Sequence, residues 1–206
     1  MSLHESLAMP ALIADIGGTN ARFALTDLSS PVPRVEQPQS LDASRFASLQ
    51  HAAEHYLDMV GVRPKHAAIA VACPVDGEEI RLTNRAWSFT RRELQASLAL
   101  DHLHVLNDFG AVAWSVPALG DNDRIVLHGD DDALREGPIT VLGPGTGLGV
   151  ALLVGHDEDW QVVETEGGHV SFAPLGDEEH AIARWFSARF GRVSNERLLC
   201  GAGLSH

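Results

Sequence analysis

The chain has 206 residues, of which 45% are hydrophobic, and its formal net charge is -13 at pH 7. Lysine and arginine number only 15 against 28 aspartate and glutamate residues, so no basic face can form for nucleic acid, and this class of partner is excluded. The two cysteines, Cys73 and Cys200, match no zinc or redox spacing. No signal peptide and no apolar run long enough to cross a bilayer is visible. We therefore expect a cytoplasmic protein with no membrane partner.

The first half of the chain alternates strand and helix patterns. Residues 11–16 and 21–27 predict the two strands of a hairpin, and residues 34–37 predict a third strand at its edge. Apolar residues within 42–60 recur with the helical period and predict a helix. The apolar run 67–73 predicts a buried strand.

A second helix is predicted from Thr90, because Thr90 and Glu93 form a capping box that satisfies amide groups at the start of a helix. A short strand at 104–106 and a helix that begins with Asp108 follow. The resulting order, βββαβαβα, resembles the ribonuclease H-like half-domain, an α/β fold with a mixed sheet that is duplicated in sugar kinases and actin-like ATPases.

The second half of the chain repeats the hairpin pattern after a polar, acidic stretch. Residues 139–154 predict a second hairpin, residues 177–190 predict an amphipathic helix, and a further helix is predicted from Ser194. Because this pattern weakly repeats that of the first half, we predict two lobes, residues 1–118 and 119–206.

Each predicted hairpin is closed by a glycine turn that contains a threonine. The first turn is Ile16-Gly-Gly-Thr-Asn20, directly after Asp15, and the second is Gly143-Pro-Gly-Thr-Gly-Leu-Gly149. Glycine lets the backbone bend tightly, and successive amide N–H groups in such a turn attract anions. Two such turns facing each other would hold a polyphosphate, which predicts a nucleotide-dependent phosphotransferase.

These turns have three other interpretations. A P-loop is excluded, because no lysine follows either turn. A dinucleotide-binding fingerprint is excluded, because its third glycine would fall on Leu148 or Val150 and each turn leads into a strand, not a helix. A pair of ordinary hairpin turns remains an alternative, although a threonine at the same place in both turns argues against it.

Polar residues outside the turns suggest a sugar ligand, each with a structural alternative. Asp108 is either a helix N-cap or the carboxylate that receives a proton from an acceptor hydroxyl. Glu166 and His169 flank a glycine pair, which fits a polyhydroxylated ligand, but a structural histidine is the alternative. The segment 83–88 has polar groups for a sugar pocket, while Trp87 within it is equally compatible with the core or with a seam between domains.

Seven motifs in this order resemble the signature of the bacterial ATP-dependent glucokinases, a family of the hexokinase/actin-like ATPase superfamily. They are Asp15–Arg22 (DIGGTNAR), Ala72–Pro74 (ACP), Thr83-Asn84, Asn107–Phe109 (NDF), Gly145–Gly149 (GTGLG), Glu166–Val170 (EGGHV) and Ser194–Arg197 (SNER). The similarity runs from about Leu12 to Leu204. It implies phosphorylation of the 6-hydroxyl of glucose by Mg-ATP, in a cytoplasmic enzyme that is a homodimer, and it leaves the preference among hexoses open.

The same resemblance implies a role for individual residues. Asp108 is the implied catalytic base. The residues implied to bind the sugar are Thr83, Asn84, Asn107, Glu166, His169 and Glu196. The residues implied to bind the nucleotide are Asp15, Gly17, Gly18, Thr19, Asn20, Arg22, Gly145, Thr146 and Gly147. Asp15 is expected to order the Mg²⁺ ion through its water ligands, so no residue is expected to ligate a metal directly.

Members of this family continue beyond the length of this chain, with a segment that covers the adenosine. We therefore expect an incomplete second lobe, weak sugar binding and little kinase activity from the 206 residues alone. An alternative from another class is a non-catalytic sugar-binding or regulatory module, which would bind sugar and ignore nucleotide. A related group of sugar kinases that carries a zinc site is disfavoured, because residues 172–183 contain no cysteine.

Overall fold

The computed structural model describes residues 7–82, 86–129, 137–156 and 159–205. Its internal contacts divide the chain into two compact units, Met1–Asp108 and Phe109–His206. This division follows contact density alone, so the predicted lobe boundary between residues 118 and 119 stays a prediction. None of the helices in the described ranges is long and apolar enough to cross a membrane.

The first unit contains a five-stranded mixed sheet. Its strands are β1 (Pro10–Ile16), β2 (Asn20–Asp27), β3 (Glu36–Asp42), β4 (His66–Val71) and β7 (His102–Asn107). They lie in the order β3-β2-β1-β4-β7. The first three form an antiparallel meander, and β4 and β7 run parallel to β1. This is the predicted ribonuclease H-like arrangement, to which a small antiparallel ribbon is added, β5 (Glu79–Arg81) with β6 (Ser88–Thr90).

The helices of the first unit begin where side chains cap them. Helix α1 (Leu49–Val60) starts after Ser48, whose hydroxyl accepts from the His51 amide at 3.2 Å. Helix α2 (Arg91–Ser97) has the predicted capping box: the Thr90 hydroxyl accepts from the Glu93 amide at 3.1 Å, and the Glu93 carboxylate accepts from the Thr90 amide at 3.2 Å. The capping box is therefore confirmed.

The core of the first unit joins the sheet to α1. The rings of Phe23 and Tyr56 stack with centroids 5.5 Å apart, and both residues are fully buried. The Tyr56 hydroxyl donates to the Gln37 carbonyl at 3.1 Å, and burial raises the pKa of Tyr56 to about 12. Trp87 is also buried, with its indole N–H donating to the Phe46 carbonyl at 3.2 Å. The sequence left two positions open for Trp87, and the structure shows that it lies in the core.

The second unit contains the predicted hairpin, β8 (Ile139–Pro144) with β9 (Leu148–Val154), and a further strand, β10 (Gln161–Thr165). The three strands form an antiparallel sheet in the order β10-β9-β8. The remaining helices are α3 (Asp108–Ser115), which starts at the end of the first unit, α4 (Gly176–Phe190) and α5 (Asn195–Leu199). The Ser194 hydroxyl caps α5 by accepting from the Arg197 amide at 3.2 Å, so the predicted helix start at Ser194 is confirmed.

Candidate active site

The carboxyl ends of three parallel strands bring predicted residues of the first unit to one edge of its sheet. Ile16 at the end of β1 pairs with Val71 of β4, and Val71 pairs with Asn107 at the end of β7. Neighbouring strands lie about 4.8 Å apart, so the first glycine turn and Asn107 leave the sheet about two strand spacings from each other. This edge is where ligands bind in open α/β sheets.

The first glycine turn is held by its own backbone. The Gly17 amide donates to the Asn20 carbonyl at 3.0 Å, and the Thr19 carbonyl accepts from the Ala43 amide at 3.0 Å. The latter bond ties the turn to the chain directly after β3. Thr19 itself is exposed, so its side chain is presented to solvent at a fixed place.

Asp15 lies directly before this turn and forms an ion pair across the hairpin. Its carboxylate is 2.7 Å from the Arg22 guanidinium, and its side chain is 49% exposed. A carboxylate this accessible can order the water ligands of a hard cation. Among the described residues, no three histidine, cysteine, aspartate or glutamate side chains are grouped to hold a metal ion.

Asp108 follows β7 and is the first residue of α3. Its partly buried carboxylate lies close to the buried Cys73 thiol. Burial raises the pKa of this thiol, and the negative charge of Asp108 raises it further. The neighbouring Asn107 amide donates to the Cys73 carbonyl at 3.4 Å. The helix dipole favours a negative charge at this terminus, so α3 stabilises the ionised form that a proton acceptor needs.

The second unit brings three predicted sugar-binding side chains together. His169 Nδ1 lies 2.9 Å from Glu166 Oε2, and His169 Nε2 lies 3.3 Å from Glu196 Oε1. Glu166 and His169 frame the 3-10 turn 167–169, while Glu196 lies in the first turn of α5. The three side chains are hereafter called the acid–histidine cluster. It offers two carboxylates and one imidazole on an accessible surface.

The glycine pair between Glu166 and His169 has a packing role. A Cβ on Gly168 would lie 2.2 Å from the Leu148 carbonyl oxygen, and one on Gly167 would lie 2.9 Å from Val150 Cγ1. These two glycines therefore let the 166–169 segment lie directly on β9.

The second glycine turn contacts the acid–histidine cluster through Glu196. Its carboxylate accepts from the Leu148 amide at 2.9 Å, at the point where the turn enters β9. Within the turn the Gly145 amide donates to the Gly147 carbonyl at 2.8 Å, and the Gly145 carbonyl accepts from the Gly201 amide at 2.8 Å. A Cβ on Gly145 would meet no atom within 4 Å, so the space beside this part of the turn is open to a ligand.

The structure thus gathers the predicted residues into one set in each unit. Thr83 and Asn84, also predicted to bind sugar, lie outside the described residues. Arg192 was missed: its guanidinium donates to the His169 carbonyl and fixes the backbone of the acid–histidine cluster. No sequence motif includes this arginine. It reaches the 166–169 segment where an isolated bridge pairs Ser171 with Ser194, and a local pattern does not show such a bridge.

Comparisons with known proteins relate this chain to glucokinases. The sequence profile of the glucokinase family matches residues 12–206. A glucokinase of Chromohalobacter salexigens is 44% identical over 199 residues, which cover 96% of this chain and 61% of that protein. The crystal structure of a glucokinase from an Antarctic psychrotroph has a TM-score of 0.82 at 36% identity, over 96% of this chain and 62% of that one. A Balamuthia mandrillaris glucokinase, solved in complex with glucose, has a TM-score of 0.66 at 25% identity, over 95% of this chain and 60% of that one.

The sheet order of the first unit and these structural neighbours define a protein of the hexokinase/actin-like ATPase superfamily. The predicted fold is thereby confirmed. Since the family profile covers nearly the whole chain, the chain belongs to the glucokinase family, as its motifs indicated. It spans about 60% of the length of the curated relatives that it matches.

Proposed function

We propose that the protein is a glucokinase, which transfers the γ-phosphate of ATP to the 6-hydroxyl of glucose. The observation that carries this proposal is the acid–histidine cluster, in a chain that belongs to the glucokinase family. A sugar hydroxyl both donates and accepts hydrogen bonds. The carboxylates of Glu166 and Glu196 accept, and the imidazole of His169 can do either according to its tautomer, so the cluster matches neighbouring hydroxyls of a hexose.

Asp108 is the proposed catalytic base. As the oxygen of the 6-hydroxyl bonds to the γ-phosphorus, the bond from that phosphorus to the bridging oxygen of ADP breaks, and the hydroxyl proton passes to the Asp108 carboxylate. Phosphoryl transfer requires mainly alignment and charge stabilisation. A carboxylate kept ionised by a helix N-terminus meets the remaining requirement, which is a proton acceptor that acts late in the transfer.

The glycine turns and Asp15 are the proposed site for the nucleotide. Backbone amides at Gly17–Thr19 and Gly145–Thr146 would donate to phosphate oxygens, and Asp15 would orient the water ligands of Mg²⁺. When bound, the ion neutralises charge on the phosphate groups. Thr83, Asn84 and Asn107 are proposed as further sugar contacts, and a cytoplasmic location and a homodimeric state are part of the same proposal.

The test is calorimetric titration of the 206-residue chain with glucose, followed by an assay of ADP release in the presence of Mg-ATP. His169→Ala should weaken glucose binding about tenfold, because it removes a hydrogen-bonding group worth about 1.5 kcal/mol. His180→Ala is the matched control, since His180 is an exposed histidine of the same unit that bonds to the Gly176 carbonyl of its own helix. The glucose affinity of this variant should equal that of the wild type.

Two outcomes would contradict the proposal. If the wild-type chain does not bind glucose, the proposed sugar site is wrong. Glucose binding without ADP release, with an affinity that a non-hydrolysable ATP analogue does not change, would instead identify a sugar-binding module that ignores nucleotide.

A further inference from the structure

Glu196 connects the second glycine turn to the acid–histidine cluster. One carboxylate oxygen, Oε2, accepts from the Leu148 amide at 2.9 Å, and the other, Oε1, lies 3.3 Å from His169 Nε2. We infer that Gly147, a residue of the turn, is a positioning residue for the sugar site: it keeps open the space in which the Glu196 carboxylate reaches both partners. This inference rests on the proposed function, because it concerns the affinity for the proposed sugar.

The environment of Gly147 explains why a glycine is needed there. A Cβ at this position would lie 2.5 Å from Glu196 Oε2 and 3.3 Å from Glu196 Cδ. The backbone gives no other reason, because Gly147 is not among the described glycines with a positive φ. Any side chain at 147 would therefore occupy the place of the carboxylate, and the bond from Leu148 to Glu196 would be lost.

A second contact ties the same helix to the turn. The Gly201 amide, just after α5, donates to the Gly145 carbonyl at 2.8 Å. The turn thus holds the helix that carries Glu196 at both of its ends, once through a side chain and once through the backbone. A change that displaces only the side chain is expected to alter the position of the carboxylate while this backbone bond keeps the helix in place.

Gly120 provides a control in the same unit, outside the proposed binding residues. A Cβ on Gly120 would lie 3.4 Å from Asp123 Oδ2, an ordinary van der Waals distance, and Gly120 has a φ of -88°. Gly120→Ala and Gly147→Ala therefore make the same chemical change. Only the methyl group at residue 147 would meet the Glu196 carboxylate.

The experiment compares glucose affinity, measured by calorimetry, in the wild-type chain and these two variants. Gly147→Ala should weaken glucose binding about tenfold, whereas Gly120→Ala should stay within about twofold of the wild type. Glu196→Asp, which is one methylene shorter and cannot reach both partners, should also weaken binding. In that background Gly147→Ala should have little further effect, because both changes act on the same carboxylate. If Gly147→Ala acted through a structural change elsewhere, its loss of glucose affinity would instead add to the loss caused by Glu196→Asp.

The amide proton of Leu148, followed by NMR, gives a readout that needs no ligand. Loss of its bond to a carboxylate should shift this proton in Gly147→Ala and Glu196→Asp, whereas Gly120→Ala should leave the proton in place. The inference is overturned if Gly147→Ala binds glucose as the wild type does, or if Gly120→Ala loses as much affinity. If the wild type binds no glucose, the proposed function fails. In that case the Leu148 amide resonance is the one remaining test of the bond to Glu196. An unshifted proton in Gly147→Ala then overturns the inference.

Discussion

The ring of Phe109 occupies the space that a side chain on Gly149 would need, since a Cβ on Gly149 would lie 2.1 Å from Phe109 Cδ2. Gly143, the partner of Gly149 across β8 and β9, is equally close, with its Cβ position 2.3 Å from Cζ of the same ring. The paired glycines leave a flat slot on the hairpin, and an aromatic ring over a strand glycine restores the packing that the glycine lacks. Because Phe109 follows Asp108 in α3, this slot also holds the helix that begins with the proposed base.

Gly149→Ala should therefore lower the free energy of unfolding by about 1–3 kcal/mol, the usual range for a methyl group forced into a filled space. The measurement is urea denaturation of the chain. Gly145→Ala in the same hairpin is the control and should change stability by less than about 0.5 kcal/mol, because its methyl group enters open space. Phe109→Ala should partly rescue Gly149→Ala, since removal of the ring makes room for the methyl group. Strict additivity of the two losses would show that the ring does not lie in the slot.

In a chain extended to the length of its glucokinase relatives, Asp108→Asn should lower the turnover of glucose about 10²–10⁴-fold, the range expected when a general base is removed. Glucose affinity, measured separately by titration, should stay within about twofold of the wild type, because the base acts in the transition state. Asparagine is also favoured at helix N-termini, so the variant separates the two interpretations of Asp108: a merely structural residue would lose almost no activity.

The control for this variant is Asp101→Asn, which makes the same change at an exposed aspartate just before β7. Its turnover should equal that of the wild type. A loss of less than about tenfold in Asp108→Asn would show that Asp108 is not the base.

Much of the fold could be predicted from local patterns. Strands β1, β2, β8 and β9 were predicted because apolar runs meet at glycine turns, and α2 because its capping box lies within four residues. Strand β3 was predicted at 34–37 but lies at Glu36–Asp42. Most of its side chains are exposed, so pairing with β2, not apolar alternation, sets its bounds. The ribbon β5–β6 and strand β10 were missed for the same reason, since they are short and polar.

The site was predicted less completely than the fold. The residues themselves suggested phosphate turns and a polyhydroxylated ligand, but their roles came from the family resemblance. The contact between His169 and Glu196 depends on the bridge between Ser171 and Ser194, which joins segments that no local pattern relates. Likewise, the slot for Phe109 forms only when Gly143 and Gly149 are paired across the hairpin. The sequence therefore showed the glycines but not their contact with the Phe109 ring.

Thr90→Ala should destabilise the chain by about 1 kcal/mol, because it removes the hydroxyl that accepts from the Glu93 amide at the start of α2. Thermal or urea unfolding measures this loss. Arg92→Ala, an exposed change in the same first turn, is the control and should have almost no effect. Equal losses in the two variants would mean that the capping box contributes no stability of its own.

Asp27, at the end of β2, gives a prediction about pH. Its carboxylate accepts from the Ser29 hydroxyl at 2.7 Å, the Ser29 amide at 2.9 Å and the Ala8 amide at 2.8 Å. These bonds, with the Ser29 hydroxyl contributing most, lower the pKa of Asp27 from 3.8 to about 2. A carboxyl whose pKa is lower in the folded state stabilises the fold above its unfolded pKa, and that contribution is lost as the pH falls through the folded value.

Asp27→Asn should therefore be less stable than the wild type at pH 7, and the difference should shrink as the pH falls from about 4 towards 2. Thermal unfolding at a series of pH values measures the difference, and an NMR titration of the Asp27 carboxyl carbon measures the pKa itself. Ser29→Ala should raise that pKa, because it removes the largest of the stabilising bonds. A stability difference between Asp27→Asn and the wild type that is the same at pH 7 and pH 2.5 would contradict the ionic role of Asp27.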